Sequence, residues 1–129
     1  MIRNKILLSI ALIEILIGVI TIVATVISLF LSANAKTPNV FVFVILTAAA
    51  SSLIGIGILQ LRTLAYKLLI YFSSVIVLTK VLIFTDIIQL NGALEISIPS
   101  PIKDGISVLY HIFVIYFLTR KDIRAFFIK

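Results

Sequence analysis

The chain has 129 residues, 62% of them hydrophobic and 12% charged, with a mean hydropathy of +1.30. A soluble domain is about 45–50% apolar and about 25% charged, so this composition excludes the soluble class and predicts an integral membrane protein. The net charge of +6 does not call for a nucleic-acid partner, because the basic residues sit at the ends of apolar runs, where orientation signals belong. Cysteine is absent, which excludes disulfides and thiol chemistry. With a single histidine, no structural metal site is expected, and no cofactor.

The first element, Ile6–Leu31, is an apolar run with one acid, Glu14, well inside it. About 20 apolar residues cross a bilayer, so the run spans it with tilt. Ala11, Glu14, Gly18, Thr21, Thr25, Ser28 and Ser32 follow at spacings of three or four, which places them on one helical stripe. The other faces are Ile, Leu and Val, suited to lipid, and the stripe is expected to face other helices. Arg3, Lys5 and Ala33-Asn34-Ala35 imitate a cleavable signal, but the apolar region far exceeds the roughly 7–15 residues of a signal core. The run is read as a retained transmembrane helix.

A polar turn containing Pro38 opens the second span, roughly Val40–Leu59. Thr47, Ser51 and Gly55 form a ladder of small residues of the kind that lets helix backbones approach closely in lipid. Gly55-Ile56-Gly57 lacks the third glycine of a nucleotide fingerprint and follows no strand, so it reads as packing. Gln60–Lys67 is a tight basic turn carrying Arg62 and Lys67, with Tyr66 at the interface. The third span is roughly Leu68–Leu90. Asp86 and Gln89 lie near its outer end, where a structural interface is expected and Asp86 could pair with Lys36 or Lys103. After a longer loop, Ser100-Pro101 caps and starts the fourth span, about Pro101–Thr119, whose apolar part is the shortest. The tail, 120–129, mixes Arg120, Lys121 and Arg124 with Phe126 and Phe127, like a helix lying at the membrane surface.

Orientation follows from the basic residues. Arg3, Lys5, Arg62, Lys67, Arg120, Lys121, Arg124 and Lys129 fall on one side, against Lys36 and Lys103 on the other. Both termini are therefore expected in the cytoplasm, with the protein in the cell (inner) membrane.

Glu14, Lys80 and His111 fall inside three different spans. Taking the cytoplasmic ends near Ile6, Leu68 and Thr119, the helical rise puts Glu14 and His111 about 12 Å deep and Lys80 about 18 Å deep. A lysine covers that difference by reaching along its helix. A charge at the centre of a span disfavours insertion by roughly 2.5–3.5 kcal/mol, so partners are expected. The expected cluster pairs Glu14 with Lys80 and hydrogen-bonds His111 to the carboxylate. Such a cluster either fixes helix register or offers a site at which Glu14 binds and releases a proton or cation. A third arrangement keeps the charges apart, with Glu14 facing a partner subunit. His111 shares a stripe with Asp104 and Ser107, which turns it into the bundle. No nucleophile, base and orienting group assemble into a set, so no catalytic residues and no enzyme are expected.

The segment Ala11–Gly18 (ALIEILIG), with four short spans, resembles the small multidrug resistance transporters. In that family a membrane-embedded glutamate of the first helix couples a proton to a cationic drug, a role the resemblance gives to Glu14. The chain departs from the pattern: the glycine stands four residues after the glutamate rather than three, tryptophan is absent, and Lys80 would compete with a cationic drug. Gly55–Lys67 (GIGILQLRTLAYK) and Tyr116–Phe127 (YFLTRKDIRAFF) resemble the glycine-rich helix end, basic turn and aromatic tail of small uncharacterised four-transmembrane-helix prokaryotic membrane proteins. Tyr66 stands where many of those carry tryptophan. That likeness covers the second half of the chain and implies topology, not activity.

The expected architecture is all-α, a single membrane domain over 1–129 built as a bundle of four antiparallel transmembrane helices. The leading expectation for function is a non-enzymatic accessory or assembly subunit, whose partners are the lipid bilayer and other membrane subunits or copies of itself. The rival is a small proton-coupled transporter or channel using Glu14. A third reading is a lipid-interacting protein with its basic tail on anionic headgroups.

Overall fold

The computed structural model describes residues 4–31, 38–85 and 100–128. Among the described residues the chain forms five helices and no strand: α1 (Lys5–Leu31), α2 (Pro38–Leu59), α3 (Thr63–Phe84), α4 (Ser100–Thr119) and α5 (Lys121–Phe127). Three of them, α1, α2 and α3, are long and apolar enough to cross a membrane. α4 has Lys103 and Asp104 near its start, which leaves residues 105–119 as its run without charge. The chain divides into two compact units, residues 1–66 and 67–129.

The helices form where the sequence lets the backbone satisfy itself, which apolar surroundings demand. Asn4 begins α1: its Oδ1 accepts from the backbone N–H groups of Ile6 (3.0 Å) and Leu7 (3.3 Å), two of the donors a helix start leaves unpaired. Hydroxyls along the helices donate back to their own carbonyls, as Ser9 does to Lys5, Thr25 to Thr21 and Thr79 to Val75. Pro38 stands at the first position of α2, where its missing N–H costs nothing.

In the first unit α1 and α2 pack face to face. The buried stripe of α1 is Leu7, Ile10, Ala11, Glu14, Gly18 and Thr25. It meets Ala48, Ser51, Ile54, Gly55 and Ile58 of α2. Ala11 lies beside Gly55, Glu14 beside Ser51, and Gly18 beside Ala48 and Ser52, so the two helices run antiparallel. The remaining faces of α1 carry exposed Leu12, Ile13, Leu16, Ile17, Ile20 and Val23. In the second unit the buried residues include Leu69 and Ser73 of α3, Val114, Phe117 and Leu118 of α4, and Ile123 and Phe127 of α5. Phe113 and Phe117 stack with ring centroids 6.0 Å apart.

The turn between α2 and α3 departs from the sequence reading. α3 begins at Thr63, five residues before the expected Leu68, so Lys67 stands on a helix rather than in a turn. The turn itself is only Gln60-Leu61-Arg62. The Arg62 N–H donates to the Gly57 carbonyl (3.0 Å) and the Leu61 N–H to the Ile58 carbonyl (2.9 Å), the crossed pair of bonds that closes a helix C-terminus. Leu61 takes the left-handed position of this motif, with φ 52°. Gly57 lets the chain fold back: a Cβ there would lie 2.5 Å from the Ala65 Cβ. The expected contacts of Asp86 and Gln89 fall outside the described residues.

A leucine in the left-handed region carries a steric cost of roughly 1–2 kcal/mol that glycine does not. Leu61→Gly is expected to stabilise the folded chain by about 1 kcal/mol, read as a higher thermal midpoint in detergent. A lower midpoint would mean that the Leu61 side chain contributes more by packing than its backbone loses.

Candidate functional site

The seam between α1 and α2 holds the one acid of α1. Glu14 is completely buried on α1. The Ser51 hydroxyl, also buried, sits 2.6 Å from Glu14 Oε2 and 3.0 Å from the Glu14 main-chain oxygen. A serine hydroxyl has one proton to give. That proton goes to one of the two Glu14 oxygens or is shared between them, so a single hydroxyl ties both the side chain and the main chain of Glu14 to α2. The arrangement can thus hold an acid in an apolar setting by spending its polar atoms on the neighbouring helix.

Two glycines make this approach possible. A Cβ on Gly55 would lie 2.7 Å from both the Ala11 carbonyl oxygen and the Ile15 Cγ1. One on Gly18 would run into the Ser52 side chain and would stand 2.9 Å from the Ser52 nitrogen. Gly18 and Gly55 thus flank Glu14 and Ser51, with backbone packed against backbone on either side. Thr25 is buried further along α1, and its Oγ1 donates to the Thr21 carbonyl at 2.6 Å. Thr21 is half-buried. Thr47 is half-buried too, and its hydroxyl donates to Phe43 and Val44 within α2.

The second unit holds Lys80 and His111. Lys80 Nζ forms an ion pair with Asp104 Oδ1, with the lysine side chain 24% exposed and the aspartate 10%. The sequence reading gave Lys80 to Glu14; the salt bridge seen is with Asp104. Lys80 lies about 26 Å along α3 from its start at Thr63. It stands four residues from the end at Phe84, as Asp104 stands four from the start of α4. His111 is buried two turns along α4 from Asp104 and on the same stripe, with Tyr110 edge-on to its ring at 5.0 Å. Its Nδ1 has no hydrogen-bond partner among the described residues, nor have the buried Oγ atoms of Ser73 and Ser52.

Three of these residues escaped the sequence reading. Asp104 was placed on the stripe of His111 without being given to Lys80. Ser52 and Ser73 gave no signal, since a hydroxyl in an apolar helix ordinarily bonds back to its own backbone. Arg62, Lys67, Arg120, Lys121 and Arg124 are all exposed. Among the described residues no group of three His, Asp or Glu side chains could hold a metal. Comparison with protein-family models, characterised proteins and solved structures finds no match to this chain.

Adding a methyl at a glycine of the α1–α2 contact tests the seam. Gly55→Ala should push the helices apart and destabilise the chain by about 1–3 kcal/mol, measured by unfolding in mixed detergent micelles, whereas Gly105→Ala, at an open position, should not. For the second unit, a double-mutant cycle of Lys80→Met and Asp104→Asn should give a coupling of about 1–3 kcal/mol, a magnitude reserved for pairs largely withdrawn from water. Additive effects would mean that the pair does no more than an exposed one.

Proposed function

We propose that this chain is a multi-pass protein of the cell (inner) membrane, with four antiparallel spans and both termini cytoplasmic, and that it serves as a non-enzymatic accessory or assembly subunit. The long apolar helices, their oily outer faces and the one-sided distribution of Lys and Arg support the topology. The likeness of the second half to small four-span prokaryotic membrane proteins fits the same plan. Its partners in this reading are lipid and other membrane subunits or further copies, met through helix faces.

One observation carries the functional part: Glu14 is fully buried and faces a serine of the adjoining helix across a seam closed by glycines. A carboxyl used in this way orients two helices. A coupling site needs the same carboxyl to meet water and to exchange protons.

Proton release from the protein in lipid nanodiscs, wild type against Glu14→Gln, separates these roles across about pH 5–9. This window is where a coupling carboxylate and a catalytic acid are tuned. Glutamine imitates the protonated acid and can donate to Ser51. The structural role predicts no Glu14-dependent release and a folded Gln variant, with Ser51→Ala losing about 1–3 kcal/mol of stability. Release that disappears in the Gln variant would instead establish Glu14 as water-accessible and move the protein to the proton-coupled transporters or channels.

A further inference from the structure

The short terminal helix α5 leaves α4 at a bend. Arg120 has an extended ψ of 139° and interrupts the helical run, after which the Arg124 N–H donates to the Arg120 carbonyl at 2.9 Å. Ile123 and Phe127, one turn apart, are 1% and 3% exposed, and their burial fixes the rotation of α5 about its axis. That rotation leaves Lys121, Asp122 and Arg124 in the open, with Phe126 beside them.

The charges on this segment are not equivalent. Arg120 Nε and Asp122 Oδ1 lie 3.3 Å apart and partly neutralise each other. Lys121 and Arg124 have no ion pair among the described residues. They stand three residues apart, so their heads lie on neighbouring positions of one exposed face. Two uncommitted cations on a helix whose rotation is fixed make a pre-set anion clamp.

The length of α4 places this clamp. Its 20 residues rise about 30 Å, the thickness of the hydrocarbon core. In a chain that crosses the membrane as proposed above, α5 follows where the hydrocarbon ends, at the depth of the lipid phosphates. We propose that Lys121 and Arg124 form a binding site for the headgroup of an anionic phospholipid, with the phosphodiester held between the ammonium and the guanidinium. The site ties the end of α4 to a charged leaflet. This inference rests on the membrane reading and adds a lipid class to it.

The test uses the full chain with Phe126→Trp. The natural sequence has no tryptophan, so this would be the only one, and Phe126 is exposed enough to take the larger ring. The protein is reconstituted in vesicles of phosphatidylcholine and phosphatidylglycerol, with bromine on the acyl chains of one lipid or the other, and quenching of the tryptophan is compared. Brominated phosphatidylglycerol should quench more than the same fraction of brominated phosphatidylcholine. Each of Lys121→Gln and Arg124→Gln should lower that preference by about fivefold, and the double variant should abolish it. Added salt should weaken it as well. Equal quenching by the two lipids in the parent chain, or a preference that survives in the double variant, overturns the inference. An alkaline wash keeps the two readings apart: a chain that washes off the vesicles overturns the membrane reading and this one with it. A chain that stays and shows no lipid preference overturns the headgroup site alone.

Discussion

The close approach of α1 and α2 is the constraint from which the rest of the first unit follows. Between helices in lipid there is no hydrophobic driving force, since a leucine gains nothing by leaving one apolar neighbour for another. Attraction then depends on how near two backbones can come and on the polar groups they share. Gly18 and Gly55 supply the nearness by leaving out the Cβ atoms that would strike the opposite helix. Glu14 and Ser51 supply the shared polar contact between them. Each half needs the other, because a wider spacing would take the Ser51 hydroxyl out of reach of the acid.

The second unit solves the same problem differently. Its ion pair lies near the end of α3 and the start of α4, with the lysine retaining some exposure. In the topology proposed for this chain, a pair placed there avoids most of the desolvation that a mid-membrane pair would incur. Further along the same stripes lie Ser73 and His111, each buried with a polar atom that has no partner among the described residues. The same holds for Ser52 Oγ in the seam of the first unit.

The sequence disclosed most where periodicity speaks. Of the stripe of α1, Ala11, Glu14, Gly18 and Thr25 are buried, Thr21 and Ser28 half-buried, and Ser32 lies outside the described residues, while Leu7 and Ile10 are buried although apolar residues were expected to face lipid. The same ladder logic singled out Ser51 and Gly55 on α2. The α2–α3 turn was hidden, since nothing marks Leu61 as a left-handed residue in a position that glycine usually takes. The partner of Lys80 was hidden as well: Asp104 meets it near the end of α3 and the start of α4. Which acid serves which base depends on absolute position along a helix, and periodicity fixes only the face.

The shortness of α4 has a consequence for the host bilayer. The whole helix is long enough to cross, but its run without charge, residues 105–119, rises only about 22 Å, against a hydrocarbon core of about 30 Å. In the four-span topology proposed for this chain, that deficit means hydrophobic mismatch. The lipids around it must thin, or its flanking side chains must stretch towards the headgroups, at a fraction of a kcal/mol per Å. Lys121 and Arg124 at one end, and the Lys80–Asp104 pair at the other, place long cationic side chains where such stretching is needed. Membrane thickness thereby becomes a variable of this fold, with thin bilayers easing the strain on α4 and thick, ordered ones opposing its insertion.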